Sequence, residues 1–123
     1  MSRDPEKLRV FHLADRLVID IYSVTNQLPR EERYGLRAQI RRAAVSTATN
    51  IVEGCARRTQ KEYLSFCNIA AGSACETRYL LHVAHRLGFL DENAWLQLEP
   101  RCSHLAKGLF RLIQQLDSAE PKA

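Results

Sequence analysis

The sequence predicts an all-α fold, an antiparallel up-down-up-down four-helix bundle, and three observations support this prediction. Apolar residues repeat at alternating spacings of four and three along four long stretches, as on helices packed in a bundle. No stretch shows the apolar–polar alternation of a strand. The three connections between the stretches are short, which favours antiparallel neighbouring helices.

Helix 1 is predicted from about Glu6 to Leu28. Pro29 ends it, because the residue before a proline is pushed out of the helical region. The apolar seam of this helix consists of Val10, Ala14, Leu17, Ile21, Val24 and Leu28.

Helix 2 is predicted from about residue 30 to residue 54, and Gly54 is predicted to be its C-terminal cap. Its seam consists of Leu36, Ile40, Ala43, Thr47, Asn50 and Gly54. Because a polar residue in a seam usually fixes helix register or subunit number, Asn50 is predicted to do so here.

Helix 3 is predicted over about residues 59–87, opened by a capping box at Thr59–Glu62 and stopped by Gly88. Helix 4 is predicted over about residues 91–117, with Asp91 as its cap. Pro100 lies inside helix 4 and removes a hydrogen bond at a cost of roughly 3 kcal/mol, so we expect a kink or a short break there. Residues 118–123 have the pattern of a frayed tail.

The length of 123 residues, with 46% hydrophobic and 26% charged residues, suits one domain over residues 1–123 that needs no metal or disulfide to supplement its core. Residues 1–13 lack the apolar region of a signal peptide, and the longest aliphatic run is too short for a bilayer. We therefore expect a cytoplasmic protein that does not bind membranes. Four cysteines are expected to be reduced thiols: Cys55, Cys67, Cys75 and Cys102.

Two helices carry more apolar residues than a four-helix bundle needs. The residues outside the seams are Phe11, Val18, Ile19 and Tyr22 in helix 1 and Leu64, Tyr79, Leu80 and Val83 in helix 3. One interpretation is a wide core stripe. The other is a second buried face at a subunit interface.

The formal net charge of +4 is concentrated in one segment. Residues 29–61 hold eight basic and three acidic side chains, a net charge of +5, whereas the rest of the chain holds ten basic and eleven acidic side chains, a net charge of −1. The basic side chains of the segment are Arg30, Arg33, Arg37, Arg41, Arg42, Arg57, Arg58 and Lys61.

Arg33, Arg37 and Arg41 are spaced four apart and are predicted to share one helix face with no acidic partner in their own helix. Compensation must come from another helix, another subunit or an anionic ligand. Salt bridges between helices or subunits are one interpretation, and phosphate contacts with nucleic acid are the other. Tyr34 is near enough to stack on an unpaired base.

Catalytic and metal-binding motifs are missing from the sequence. No cysteine or serine lies in a nucleophile motif, and the five glycines are scattered. The cysteine spacing is not that of a zinc site, and the Glu-x-x-His pairs of di-iron bundles are missing. We therefore expect no enzyme activity, no cofactor and no metal.

Several segments of the predicted helices form a recognisable sequence pattern. Helix 2 reads ERYGL at residues 32–36, QIRRAAVS at 39–46 and NIVEG at 50–54. AGS follows at 71–73 and GFL at 88–90. These segments resemble the bacterial four-helix bundle protein family found in intervening sequences of 23S ribosomal RNA genes. The resemblance covers about residues 8–116, although Phe11 stands where family members usually have tryptophan.

The resemblance implies a ring-like homopentamer, similar to the accessory protein of diversity-generating retroelements, whose basic pentameric surface binds nucleic acid and a reverse transcriptase. The expected function is a non-catalytic, RNA-associated nucleic-acid-binding protein. The alternative is a protein–protein adaptor whose arginines stabilise the oligomer or bind an acidic partner. The predicted phosphate contacts are Arg33, Arg37, Arg41, Arg42, Arg57, Arg58 and Lys61, with Tyr34 stacking on a base; the predicted oligomer or register residues are Phe11, Val18, Tyr22 and Asn50.

Overall fold

Four α-helices make up most of residues 3–119, which are the residues that the computed structural model describes. The helices are α1 (Arg9–Val24), α2 (Leu36–Cys55), α3 (Gln60–Arg86) and α4 (Glu92–Ala119). Single 3-10 turns lie at Pro5–Lys7, Thr25–Gln27 and Arg30–Glu32. Since residues 3–119 contain no strand, the predicted all-α class is confirmed. The predicted frayed tail falls mainly on residues 120–123, outside the described part of the chain.

The core lies between the helices. Each helix contacts its neighbours in sequence, and α1 also contacts α4, which is the set of contacts expected of an up-down-up-down bundle. Large aliphatic side chains from all four helices fill the centre, among them Ile21, Ile40, Leu81 and Leu105, each at most 1% exposed. Within residues 3–119 no helix combines the length and apolar character needed to cross a bilayer.

The contact between α2 and α3 is made mostly by small side chains. Those that α2 and α3 bury are mainly Ala43, Ala44, Thr47, Gly54, Ala70, Ala71, Ser73, Ala74 and Thr77. A Cβ atom added to Gly54 would lie 2.9 Å from the Cβ atom of Phe66 on α3. Because these side chains are small, the backbones of α2 and α3 lie close together near Gly54.

The prediction that Gly54 caps helix 2 is therefore wrong. The helix continues to Cys55, and among the described glycines only Gly88 has a positive φ. Gly54 is buried inside the last turn, where α3 leaves no room for a side chain. Its role depends on a tertiary contact rather than on a left-handed backbone.

The start of α2 also differs from the prediction, since the α-helix begins at Leu36 rather than near Arg30. The carboxylate of Glu32 accepts a hydrogen bond from the Leu36 amide at 3.0 Å, and Gly35 has a ψ of −114°, which is not helical. Arg33 therefore lies in the turn before the helix and does not share a helix face with Arg37.

Local capping signals operate as predicted at both ends of α3 and at the start of α4, whereas α1 ends at Val24 and not at the predicted Leu28. The Glu62 amide donates to Thr59 Oγ1 at 3.1 Å, and the Ala94 amide donates to Asp91 Oδ1 at 2.8 Å. Gly88 follows α3 with a φ of +79°, a conformation that side chains disfavour. Of the kink or short break predicted at Pro100, the break is wrong, because α4 runs through this residue without interruption, and the kink stays a prediction.

The additional apolar residues divide between the two interpretations. Phe11, Val18 and Leu64 are half-buried against the chain's own core, and Leu80 is buried, as a wide core stripe requires. Other members of the set remain exposed, namely Ile19 at 65%, Tyr79 at 60% and Tyr22 at 43%.

Asn50 is half-buried rather than central in the seam, because Ile51 takes the buried position beside it. Its amide donates to the Ser46 carbonyl at 2.8 Å and to Ser46 Oγ at 3.0 Å. Ser46 Oγ in turn lies 2.9 Å from Ser73 Oγ on α3. This chain of polar contacts joins α2 to α3 within one subunit.

Candidate nucleic-acid interface

A groove of about 510 Å³ runs along the first half of α2 and is called the α2 groove below. It is lined by Tyr22, Arg33, Tyr34, Arg37, Ala38, Arg41, Arg42 and Val45. The turn at residues 33–35 brings Arg33 and Tyr34 to the mouth, although neither is on the helix. Four of the seven predicted phosphate contacts and the predicted stacking residue therefore share one site.

Arg41 is held by three hydrogen bonds to the end of α1 and to the 3-10 turn that follows it. Its guanidinium donates to Thr25 Oγ1 at 2.9 Å, to the Tyr22 carbonyl at 3.0 Å and to Asn26 Oδ1 at 3.2 Å. Tyr22 is in the last turn of α1, so the cation satisfies a carbonyl that has no partner within the helix. The guanidinium also lies 4.5 Å from the centre of the Tyr22 ring.

Burial lowers the pKa of Arg41, and the positive charge of Arg37 lowers it further. Asn26 Oδ1 also accepts from Arg37, but at 3.5 Å this bond is long. The structure thus contains the like-charge repulsion that the four-residue spacing predicts. The three neutral acceptors satisfy N–H groups of Arg41, but none of them neutralises its positive charge.

The remaining arginines of the α2 groove keep their charge available to a ligand. Within residues 3–119 no carboxylate oxygen lies within 4.0 Å of a basic nitrogen of Arg33, Arg37 or Arg42. Arg33 and Arg42 are exposed, and Arg37 is half-buried. Such arginines can donate two parallel hydrogen bonds to a phosphate without first breaking an ion pair.

Tyr34 has the most exposed aromatic ring among the described residues, at 85%. The Arg33 guanidinium lies 5.4 Å from the centre of this ring. An aromatic ring held in solvent beside several cations suits the stacking of an unpaired base whose phosphates contact the arginines.

The other three predicted phosphate contacts lie at the opposite end of α2. Twenty residues of helix at 1.5 Å each separate the two ends by about 30 Å. Arg57 is half-buried with its guanidinium 4.8 Å from the Phe66 ring centre, whereas Arg58 and Lys61 are exposed. The predicted set therefore forms two basic groups rather than one.

A second basic cluster lies between α1 and α4 and was not singled out from the sequence. It contains Arg9, Arg16, Arg101 and His104 around Pro100. Arg9 and Arg16 lie about 90 residues from Arg101 and His104 along the chain. Each pair has acidic neighbours in the sequence, so a count of charges along the chain shows no basic segment at either place. The seven-residue spacing of Arg9 and Arg16, two helical turns, was the available signal.

Features typical of catalytic and metal sites do not appear at the α2 groove. In the described part of the chain, no three histidine, cysteine or acidic side chains come together as a metal site. Burial raises the pKa of Cys67 to about 11 and of Cys102 to about 12, so both thiols remain protonated at neutral pH. The α2 groove itself offers guanidinium and phenol groups, which suit anion binding.

Comparisons with known proteins agree with this architecture. The model of the 23S rRNA-intervening sequence protein family matches residues 6–111. A crystal structure from Bacteroides thetaiotaomicron, described as a protein with unknown function from the S23 ribosomal protein family, aligns with a TM-score of 0.79 and 21% identity, covering 85% of this chain and 98% of that one. No match was found among curated proteins. Because the family model spans most of the sequence, this chain belongs to the 23S rRNA-intervening sequence protein family.

Proposed function

We propose that this protein is a non-catalytic nucleic-acid-binding accessory protein that acts as a homopentamer and contacts phosphates through the α2 groove. The observation that carries the proposal is that Arg33, Arg37 and Arg42 line this groove without a carboxylate partner within residues 3–119. Arg33, Arg37 and Arg42 supply the charge. Arg41 holds the wall of the groove against α1.

Tyr34 extends the proposal from phosphates to bases. A base stacked on an aromatic side chain contributes about 1–3 kcal/mol, and every base offers a face for such stacking. The groove is therefore suited to structured RNA with unpaired nucleotides, such as fragments of ribosomal RNA. The second basic group, Arg57, Arg58 and Lys61, contacts phosphates farther along the same nucleic acid.

The pentameric part of the proposal is supported by the family resemblance and by exposed apolar side chains. Ile19, Tyr79 and Leu96 are each at least 60% exposed, so their apolar surfaces are available to a subunit interface. A ring would present five copies of the α2 groove, so individually weak phosphate contacts would combine into tight binding. We place this assembly in the cytoplasm, where ribosomal RNA is available.

The proposal is tested by measuring how salt weakens binding. Fluorescence anisotropy with a labelled 23S ribosomal RNA fragment is compared with random duplex DNA between about 50 and 200 mM salt. Arg37→Gln and Arg42→Gln should weaken binding and should each flatten the plot of log K against log salt by about one unit per site. Arg86→Gln is the matched control, since Arg86 is exposed in the last turn of α3 and makes no side-chain hydrogen bond among the described residues.

Arg41 is unsuitable for this test because its loss removes contacts to α1. No binding of either nucleic acid at low salt would reject the proposal. Salt slopes that Arg37→Gln and Arg42→Gln leave unchanged would exclude the α2 groove. If these variants instead change the oligomer mass in sedimentation, the adaptor alternative gains support.

A further inference from the structure

A groove of about 470 Å³ separates α1 from α4 and is called the α1–α4 groove below. Its lining residues are Leu13, Arg16, Pro100, Arg101 and His104. Arg9 lies at its edge, with a guanidinium nitrogen 3.3 Å from His104 Nε2. None of these residues belongs to the basic segment at residues 29–61.

The groove carries an excess of positive charge. Arg101 forms an ion pair with Asp20, but within residues 3–119 no carboxylate lies within 4.0 Å of a basic nitrogen of Arg9 or Arg16. Arginine is only a donor, so His104 Nε2 accepts from Arg9 and the proton of the neutral ring lies on Nδ1. Two exposed guanidinium groups thus remain for an anionic ligand.

The other surfaces of the groove are apolar. Leu13 is half-buried beneath Pro100, whose ring is exposed on α4. Leu13 and Pro100 thus provide an apolar surface between the basic side chains. A suitable ligand therefore combines negative charge with an apolar side chain.

These properties fit a peptide better than a nucleic acid. Phosphodiester groups carry no apolar side chain to pack on Leu13 and Pro100, and no phenylalanine, tyrosine or tryptophan lines this groove for base stacking. The α2 groove has the opposite character, with two tyrosines among its arginines. A groove between two helices is also a common binding surface for an amphipathic segment.

We propose that the α1–α4 groove binds an acidic segment of a protein partner. An apolar side chain of that segment packs on Leu13 and Pro100, while flanking carboxylates pair with Arg9 and Arg16. The protein would then hold nucleic acid on α2 and a protein partner on α1 and α4 at the same time.

The test uses a short fluorescein-labelled peptide that repeats glutamate, glutamate and leucine, with a glutamine-for-glutamate peptide as control. At low salt the acidic peptide should bind and the control should not. Arg9→Gln and Arg16→Gln should each lower its affinity by about fivefold, the upper range for one exposed ion pair. The matched variants Arg37→Gln and Arg42→Gln, on the α2 groove, should leave peptide affinity unchanged.

In Pro100→Ala, a loss of peptide binding is not explained by unfolding, because alanine stabilises a helix relative to proline. The substitution removes part of the apolar surface on which the peptide side chain packs, so peptide affinity should fall by about fivefold while α4 becomes more stable. Unchanged affinity in this variant would contradict the peptide assignment.

Four other results would overturn the proposal. These are no binding of the acidic peptide at low salt, equal binding of the glutamine peptide, loss of binding through the α2 variants alone, and loss of RNA binding through Arg9→Gln or Arg16→Gln. A change of oligomer mass in Arg16→Gln would instead assign the groove to contacts between copies of this chain. RNA binding by the unmodified protein is measured in parallel, so failure of the peptide proposal is distinguishable from failure of the proposed function.

Discussion

Replacing Arg41 with glutamine separates a structural role for this arginine from a role in ligand binding. Its guanidinium makes three hydrogen bonds to the end of α1 and the 3-10 turn after it, and the one to Thr25 Oγ1 is the most costly to lose. Thr25 is fully buried, so water does not replace the missing donor. Its hydroxyl keeps its own bond to the Ile21 carbonyl at 2.6 Å, so the lost bond costs about 1 kcal/mol.

The other two bonds of Arg41 contribute less. The Tyr22 carbonyl and Asn26 are near solvent, where water substitutes for the lost donor. The contact between the guanidinium and the Tyr22 ring adds about 0.5–1 kcal/mol at an exposed site. We therefore expect Arg41→Gln to lower the free energy of unfolding by about 1.5–2 kcal/mol.

The measurement is urea denaturation followed by circular dichroism at fixed protein concentration, because the stability of an oligomer depends on concentration. Arg42→Gln is the matched control, since Arg42 is the next residue, is exposed and has no side-chain hydrogen bond among residues 3–119. Its effect should stay within about 0.5 kcal/mol. Equal stabilities of the two variants would refute the reasoning and return Arg41 to the ligand-binding set.

Three further predictions concern two glycines, the proline inside α4 and two buried cysteines. Gly72→Ala should raise the free energy of unfolding by about 1 kcal/mol, because an added Cβ meets nothing within 4 Å. Gly88→Ala should lower it by about 1 kcal/mol, because the φ of Gly88 is +79°. Urea midpoints of the two variants that shift in the same direction would contradict this. Pro100→Ala should raise the free energy of unfolding by about 2 kcal/mol, and no rise in the urea midpoint would show that α4 accommodates proline without cost. Burial raises the pKa of Cys67 to about 11 and of Cys102 to about 12 from an ordinary value of 9.0, so ionisation favours the unfolded chain. The stability these thiols contribute should be complete below about pH 9 and be lost as the pH rises toward 11, and a urea midpoint that stays constant over this range would exclude the effect.

The features that the sequence predicts well depend on interactions within a few residues. The caps at Thr59 and Asp91 and the turn at Gly88 each involve a side chain or a backbone conformation near a helix end. The apolar spacing that defines α1 is similarly local, and its seam residues Val10 and Leu17 are buried. Short-range signals of this kind are visible without knowledge of the fold.

The features that the sequence did not predict depend on contacts between distant segments. Glycine is a common residue at helix C-terminal caps, but what requires a glycine at position 54 is the close contact with Phe66 on the next helix. Glu32 reads as part of a helix, and only its bond to the Leu36 amide shows that it precedes one. No spacing rule indicates that Arg41 bonds to Thr25 on another helix.

The candidate site was predictable in composition but not in arrangement. Charge counting found the basic segment, yet α2 places its two basic groups about 30 Å apart. The α1–α4 groove was missed because Arg16 and Arg101 come together only in the folded chain. Charge on a folded surface depends on topology, which a count along the sequence does not contain.

The small side chains between α2 and α3 also affect the order in which the protein folds. These helices are joined by only four residues, 56–59, so bringing them together costs little loop entropy. Alanines have no rotamer freedom to lose when they pack, so this hairpin forms at low entropic cost and is expected to be structured in the folding transition state. Because α1 and α4 lie at opposite ends of the chain, we expect them to meet last. The α1–α4 groove should then be completed in the final step of folding, and an incompletely folded chain should expose the α2 arginines before it acquires this second surface.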